Sequence, residues 1–393
     1  MREVTTDARA RCRIPGWPAA ALCFAVVAAG GCGGGGMNAP VQNDNVSVSV
    51  TCKPAAVVPQ GTAQCSAAVQ GSENTAVTWL TSAGTISASG QFTAPGSTGS
   101  VTITATSSQS TSSTGTATVS VQLKTPPSKH VVVLMEENQE YSAVVGNTAW
   151  AHLNALIAEG ALATNYYADS HPSIGNYFML TTGQLLTTDD SSTQVFSADN
   201  IARRMLAGSV TFKVYAEGIS QGYLGGNTGL YVIRHNPFAM LSDVAGSTQV
   251  ANQTIWPFSQ FLKDAANNAL PEFSFIVPDV DDDAHSGTPQ QADDWLEANV
   301  VAPLEGTQAF QAGGDGILIV DFDEGADSDT AHGGGHVAAF FWGPTVQAGY
   351  TQKSSSVYQH ENMLRTAMDA LGLQNPPGSA ANAQAMAEFF VQE

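Results

Sequence analysis

The sequence predicts a mostly parallel α/β sheet covered by helices on both faces, a three-layer α/β/α sandwich, preceded by a small all-β sandwich. Three observations predict it. Residues 46–122 alternate apolar and polar side chains in short runs (VSVSVTC, AVTWL, VTITATS, TATVSV) separated by Gly, Ser and Pro, the pattern of short antiparallel strands. After Lys124-Thr-Pro-Pro-Ser the strand-like runs become apolar throughout (HVVVLMEEN, TFKVYAE, EFSFIVP, GILIVDFDE, HVAAFFWGP). Between them lie amphipathic helical stretches (TAWAHLNALIAEG, FSQFLKDAANNA, QQADDWLEANVVAPL, ENMLRTAMDALGL), and this alternation places a parallel sheet between two helical layers.

The elements order the chain as follows. Arg2, Arg9, Arg11 and Arg13 precede an apolar run from Ala19 to Ala29, too short to span a bilayer and suited to a signal peptide over residues 1–31. Cleavage ahead of Cys32 leaves Ala-Gly-Gly before a cysteine. That arrangement resembles the lipobox of bacterial lipoproteins and implies a lipid on Cys32; the alternative is cleavage nearby without lipid. Residues 32–45, with the run Gly33 to Gly36, read as a flexible tether. Residues 46–122 form the β domain, 123–129 a proline-marked linker, and 130–393 the α/β domain.

Of five cysteines, Cys12 and Cys23 leave with the signal and Cys32 takes the lipid, so Cys52 and Cys65 remain to pair in an oxidising compartment. None is left for catalysis. Removing residues 1–31 takes away four arginines and two acids, leaving 10 basic and 32 acidic side chains and a net charge of −22. Such a chain repels nucleic acid and anionic lipid. It binds phosphate only with local positive help, which a metal ion supplies.

In open α/β sheets the site lies outside the carboxyl ends of the strands. There this chain places Glu137-Asn138, Asp323-Glu324, His285 and, introducing a helix, Ser173; His336 opens the next strand. Two acidic pairs with an amide and no cysteine suit one divalent cation, Mg, Ca or Mn, with Zn if a histidine joins. A serine ahead of a helix caps it or, beside a metal, becomes a nucleophile. His171 is a candidate acid-base group or orients the turn. His285 is a second acid-base candidate or a loop residue. His235, with Arg234, binds the substrate anion or is structural.

Residues 128–390 resemble the phosphoesterase family of bacterial acid phosphatases and phospholipases C, within the alkaline phosphatase superfamily. HVVVLMEEN is similar to its first strand, HPSIGNYFMLTTG to its nucleophile helix, and VDFDEG with GGGHVAAFFWGP to its second acidic pair and late histidine. The resemblance implies metal ligands Glu137, Asn138, Asp323 and Glu324, with Ser173 as nucleophile and ligand. It also implies Asn176 on the phosphoryl oxygens and His336 as a further catalytic group. Gly175 stands where many relatives carry proline, which loosens the turn after the nucleophile. Asn138 and Glu324 stand where two-metal phosphatases carry aspartate and histidine, which favours one metal. Residues 46–122 resemble bacterial immunoglobulin-like repeats, with Trp79 as core residue.

The implied activity is hydrolysis of a phosphate monoester through a phosphoserine, with phosphodiester or phospholipid head-group cleavage as the alternative. Two other readings are a carboxylesterase using Ser220 in GISQG and a ligand-binding surface lipoprotein without catalysis. The esterase elbow needs a helix straight after its serine, whereas here YLGGNTG follows.

Overall fold

Apolar runs set the centre of the α/β domain. The computed structural model describes residues 45–392; the signal peptide, Cys32 and nearly all of the tether lie outside them. The N-terminal β domain holds strands β1 (Ser47–Lys53), β2 (Ala56–Val57), β3 (Thr62–Gln70), β4 (Val77–Thr81), β5 (Thr85–Ile86), β6 (Gln91–Thr93), β7 (Gly99–Ser107) and β8 (Thr114–Val121). They form two four-stranded sheets, β1-β3-β6-β5 and β2-β8-β7-β4. Phe92, Ile103 and Val119, fully buried, come from both sheets and join them in one core. Trp79 is not its centre: it sits on the edge strand β4, half-buried, and packs on the rim of the core that Phe92 fills.

Cys52 and Cys65 face each other across the antiparallel β1–β3 pair and form a disulfide, with Cα atoms 4.0 Å apart. Closing so short a loop contributes roughly 3 kcal/mol in the chain-entropy picture.

The α/β domain contributes β9 (Val131–Glu136), β10 (Ala161–Ala163), β11 (Phe212–Ala216), β12 (Ile255–Pro257), β13 (Phe273–Val277), β14 (Ile317–Phe322), β15 (Ala339–Trp342) and β16 (Tyr350–Thr351). They join in one sheet in the order β12-β11-β13-β9-β14-β15-β10-β16. Only β15 runs against its neighbours; the other pairings are parallel. β9, β13 and β14 are buried at every residue, as continuous apolar strands in the middle of a covered sheet must be.

Helices cover both faces. The helix Ile174–Thr182 packs with His360–Ala370 and Ile201–Gly208, while Ala151–Glu159 packs with Pro289–Leu296, and Ser259–Ala266 with Ala302–Glu305. Among the described residues no helix is long and apolar enough to cross a membrane. The last apolar strand begins at Ala339, not at His336, which makes only an isolated bridge to Tyr167.

Candidate active site

Strand register brings the two acidic pairs together. β14 lies parallel to β9 with Phe322 opposite Glu136, so the next residues of both strands leave the sheet side by side. The Asp323 N–H donates to the Glu136 carbonyl at 3.0 Å. Asn138 has φ of 57°, a left-handed conformation that asparagine tolerates better than most side chains. The resulting bend aims its backbone N–H at Asp323 Oδ1, 2.8 Å away. Its side-chain amide meets Glu137 Oε2 at 3.2 Å.

Ser173 does not cap the helix it introduces. Its φ and ψ are already helical, and its side chain takes no backbone N–H. Instead the buried hydroxyl faces two carboxylates, with Oγ 3.0 Å from Glu137 Oε2 and 3.2 Å from Glu324 Oε1. Every residue of the helix behind it is buried, so the position of Oγ is fixed by packing. The turn after Ser173 is tight: a Cβ placed on Gly175 would lie 2.3 Å from Ser170 Oγ and 3.1 Å from Leu185. A side chain there would have to push the Ser170 hydroxyl aside, so the turn is closely packed where a loosened one was expected.

Asn176 has a different task from the one expected. Its Oδ1 accepts the N–H groups of Asp169 and Ser170, and its amide donates to the Ser170 carbonyl. Fully buried and committed through Oδ1 and one amide N–H to the backbone of Asp169 and Ser170, it shapes the approach to Ser173. His336 is also elsewhere. Its ring stacks on Tyr141 and Tyr167, and Nε2 lies 3.1 Å from the Thr164 carbonyl. It reaches the site only indirectly, through Asp329, which accepts its backbone N–H.

His171 lies 2.6 Å from Glu324 Oε2 through Nδ1 and 2.9 Å from the Asp329 carbonyl through Nε2. Burial pulls its pKa down, but the Asp329 carbonyl and the Glu324 carboxylate outweigh that, and the net shift is upward. A histidine with both nitrogens facing acceptors orients Glu324 and is poorly placed to give up a proton.

His235 is 1% exposed and lies between carboxylates, so it cannot serve as an anion-binding side chain. Nδ1 is 2.8 Å from Asp283 Oδ2 and Nε2 is 3.1 Å from Glu137 Oε1, the latter without hydrogen-bond geometry. Burial, then the nearby Arg234 charge, hold its pKa down at about 3, so the ring is neutral. A neutral ring donating Nδ1–H to Asp283 turns the Nε2 lone pair toward a carboxylate oxygen. Two lone pairs in contact are relieved by a proton on Glu137 or by a cation between them, and the second is the arrangement of a carboxylate-oriented metal-ligating histidine. Glu137, His235 and Asp283 can each turn one ligand atom to such an ion.

The acidic pairs carry a different sign of the same need. Asp323 Oδ2 is buried with no partner. Burial, followed by the neighbouring acids, pushes Glu137 and Glu324 upward, Glu324 to about 7; burial also raises Asp323, and takes Asp283 to about 7. Ser173 Oγ thus faces Glu137 and Glu324, with the unpartnered Asp323 Oδ2 on the same strand end, oxygen donors of the kind a hard divalent cation takes. The site carboxylates whose ligand atoms converge on one point are Glu137 and Asp283, with His235. The expectation of a single ion gains a qualification, because Glu137 also belongs to the group with His235 and Asp283.

A pH dependence follows from these shifts. An acid whose pKa is raised from its ordinary 4.5 to about 7 binds protons in the fold that it loses in the unfolded chain. Metal-free stability therefore falls as pH rises through that window, and a bound cation opposes the fall. Differential scanning fluorimetry should show divalent cations raising Tm more at about pH 7.5 than at about pH 5. An increment independent of pH would contradict a carboxylate cradle.

The sequence did not single out three neighbours of the site. Tyr177 donates to Glu137 Oε1 at 2.7 Å; it lies four residues after Ser173, on the same helical face, and that spacing was a usable signal. Asp283, within VDDDAH, orients His235. Asp190 accepts the Ile174 N–H at 3.1 Å, and no spacing pointed to it. His285 is exposed, 3.0 Å from Arg234, with its pKa lowered by desolvation and then by His235 and Arg234. Ser220 is exposed in a coil with no helix after it, which removes the esterase elbow.

The model of the phosphoesterase family matches residues 147–374, more than half of the chain. The chain belongs to the phosphoesterase family. The family match contains Ser173 and Asp323 but begins after Glu137, which the fold alone brings beside them. Phosphatidylinositol-3-phosphatase of Mycobacterium tuberculosis is 29% identical over 268 residues, 67% of this chain and 84% of that protein. The probable acid phosphatase of Kluyveromyces lactis is 29% identical over 207 residues, 50% of this chain and 47% of that protein. The chain thus spans about half the length of the yeast member. A solved structure of an alkaline phosphatase superfamily protein from Vibrio parahaemolyticus covers 69% of this chain and 74% of its own, at 14% identity and a TM-score of 0.45. Membership of the family makes the chain a phosphoric ester hydrolase.

Proposed function

We propose that the chain is a metal-dependent phosphatase that hydrolyses phosphate monoesters through a phosphoserine on Ser173. The observation that carries this reading is the Ser173 hydroxyl, held at the start of a buried helix between Glu137 and Glu324, beside the unpartnered Asp323 Oδ2. The names of the relatives, acid phosphatase and phosphatidylinositol-3-phosphatase, support a monoester over a diester.

Glu137, Asn138, Asp323 and Glu324 would hold the divalent ion, with His235 and Asp283 able to hold another. When bound, such an ion stabilises serine alkoxide and offsets the charge of the phosphoryl oxygens. The chain's own residues do the rest. One of the two carboxylates facing Oγ, Glu137 or Glu324, takes the Ser173 proton, and Tyr177 and His171 keep those carboxylates in place. Ser173 attacks phosphorus and the ester oxygen leaves, taking up the proton that Ser173 gave. The new phosphoserine sits at the helix N-terminus, where N–H groups and the helix dipole favour an anion, until water attacks it, releasing phosphate and restoring the hydroxyl. Arg234 is the cationic group at the rim, suited to the substrate charge, and His285 accepts one of its N–H groups on Nε2 and so helps hold the guanidinium.

The test is hydrolysis of a chromogenic phosphate monoester and of a carboxylic ester, each with and without chelator. The proposal expects monoester turnover that chelator abolishes and divalent cation restores, with no carboxylic ester cleavage. Chelator-insensitive turnover would rule it out.

A further inference from the structure

We infer that Asp190 is a built-in anion that occupies the phosphoryl position and tunes which phosphate esters the site accepts and how readily phosphate leaves. The inference rests on the phosphatase reading above.

The first turn of the helix Ile174–Thr182 has little free hydrogen-bonding capacity. The N–H of Gly175 turns back to the Pro172 carbonyl, and those of Asn176 and Tyr177 to the Ser173 carbonyl. The Ile174 N–H, next to the Ser173 hydroxyl, points instead to Asp190, whose Oδ1 accepts it at 3.1 Å. The other oxygen, Oδ2, faces Arg234 Nε at 3.6 Å, and that Nε has no hydrogen-bond partner. One carboxylate thus spans a helix-terminal amide and a guanidinium. Those are the two groups that a phosphoryl group on Ser173 would call on, because an N-terminal N–H and an arginine fork both favour phosphate oxygens.

The contact is poised to open. The Asp190 side chain is 34% exposed, on a loop whose adjacent turn is closed by Asp189 and Ser191, whereas its Arg234 partner is 13% exposed and fixed by His285. Swinging Asp190 outward returns a carboxylate to water and leaves the amide and guanidinium in place. A ligand that must displace a competing group binds with its affinity reduced by the fraction of open sites. A dianionic monoester repels the carboxylate more than a monoanionic diester does, so Asp190 biases selection by charge. After hydrolysis its return competes with phosphate for the same N–H and speeds release.

Asp190→Asn is the informative variant, because the amide oxygen can still cap Ile174 while the charge is gone. In the full chain the inhibition constant for inorganic phosphate should fall on the order of tenfold. KM for a chromogenic monoester should fall with it, kcat should not rise, and the monoester-to-diester ratio of kcat/KM should increase. Asp189→Asn, on the same loop but directed to Ser191, should leave all four unchanged. An inhibition constant that is unchanged or higher in Asp190→Asn would overturn the inference and reduce Asp190 to a helix cap. If the wild type hydrolysed no phosphate ester, the phosphatase reading itself would fail. Calorimetric titration with inorganic phosphate would then still decide whether Asp190 competes with the anion, by the same tenfold comparison.

Discussion

Replacing Ser173 with alanine should lower phosphate monoester turnover by several orders of magnitude and leave the fold intact. A covalent nucleophile has no substitute in the site. The structural cost is small for a specific reason: the hydroxyl caps no backbone group, so the loss of about 1 kcal/mol expected when a capping serine is removed does not arise. Alanine also fits the helical backbone that Ser173 already adopts. Circular dichroism and Tm should match the wild type while steady-state turnover collapses. Retention of more than a few per cent of activity would show that the serine only lines the site.

Asp323→Ala should cause a comparable loss by a different route. Asp323 Oδ1 fixes the Asn138 backbone, and Oδ2 is the buried oxygen without a partner, so the substitution removes both an anchor of the cradle and one of its donors. Bound metal per chain, measured by plasma mass spectrometry after dialysis, should fall sharply in Asp323→Ala and much less in Ser173→Ala. The metal-free fold should tolerate the change, because the charge lost is one that burial already disfavours. Equal metal content in the two variants would separate Asp323 from metal binding.

The parts of this architecture that were legible in the sequence are those set by burial along a strand. β9, β13 and β14 read as uninterrupted apolar runs because both faces of a central parallel strand are covered, and the acids follow at their carboxyl ends. Ser173 was legible because a short polar stretch interrupts an otherwise apolar approach to a helix. What could not be read depends on how loops fold back. Asn176 has the residue type of a phosphate ligand, yet the chain before the helix folds back so that Asp169 and Ser170 offer it backbone groups. His336 follows a glycine run that carries it to the Tyr141 and Tyr167 rings. Asp190 and Asp283 sit in acid-containing segments where nothing in the sequence separates a solvated carboxylate from one that faces an arginine or a histidine. Trp79 was misjudged because size suggested a core residue, while strand order puts it on an edge.

The phosphoserine is the centre of the account, and acid quenching tests it most directly. Wild-type enzyme mixed with a phosphate monoester carrying a labelled phosphoryl group, stopped in acid during turnover and digested, should yield label on the peptide containing Ser173 and none from Ser173→Ala. Label on the peptide containing Ser220, or an active enzyme that never carries covalent phosphate, would contradict it.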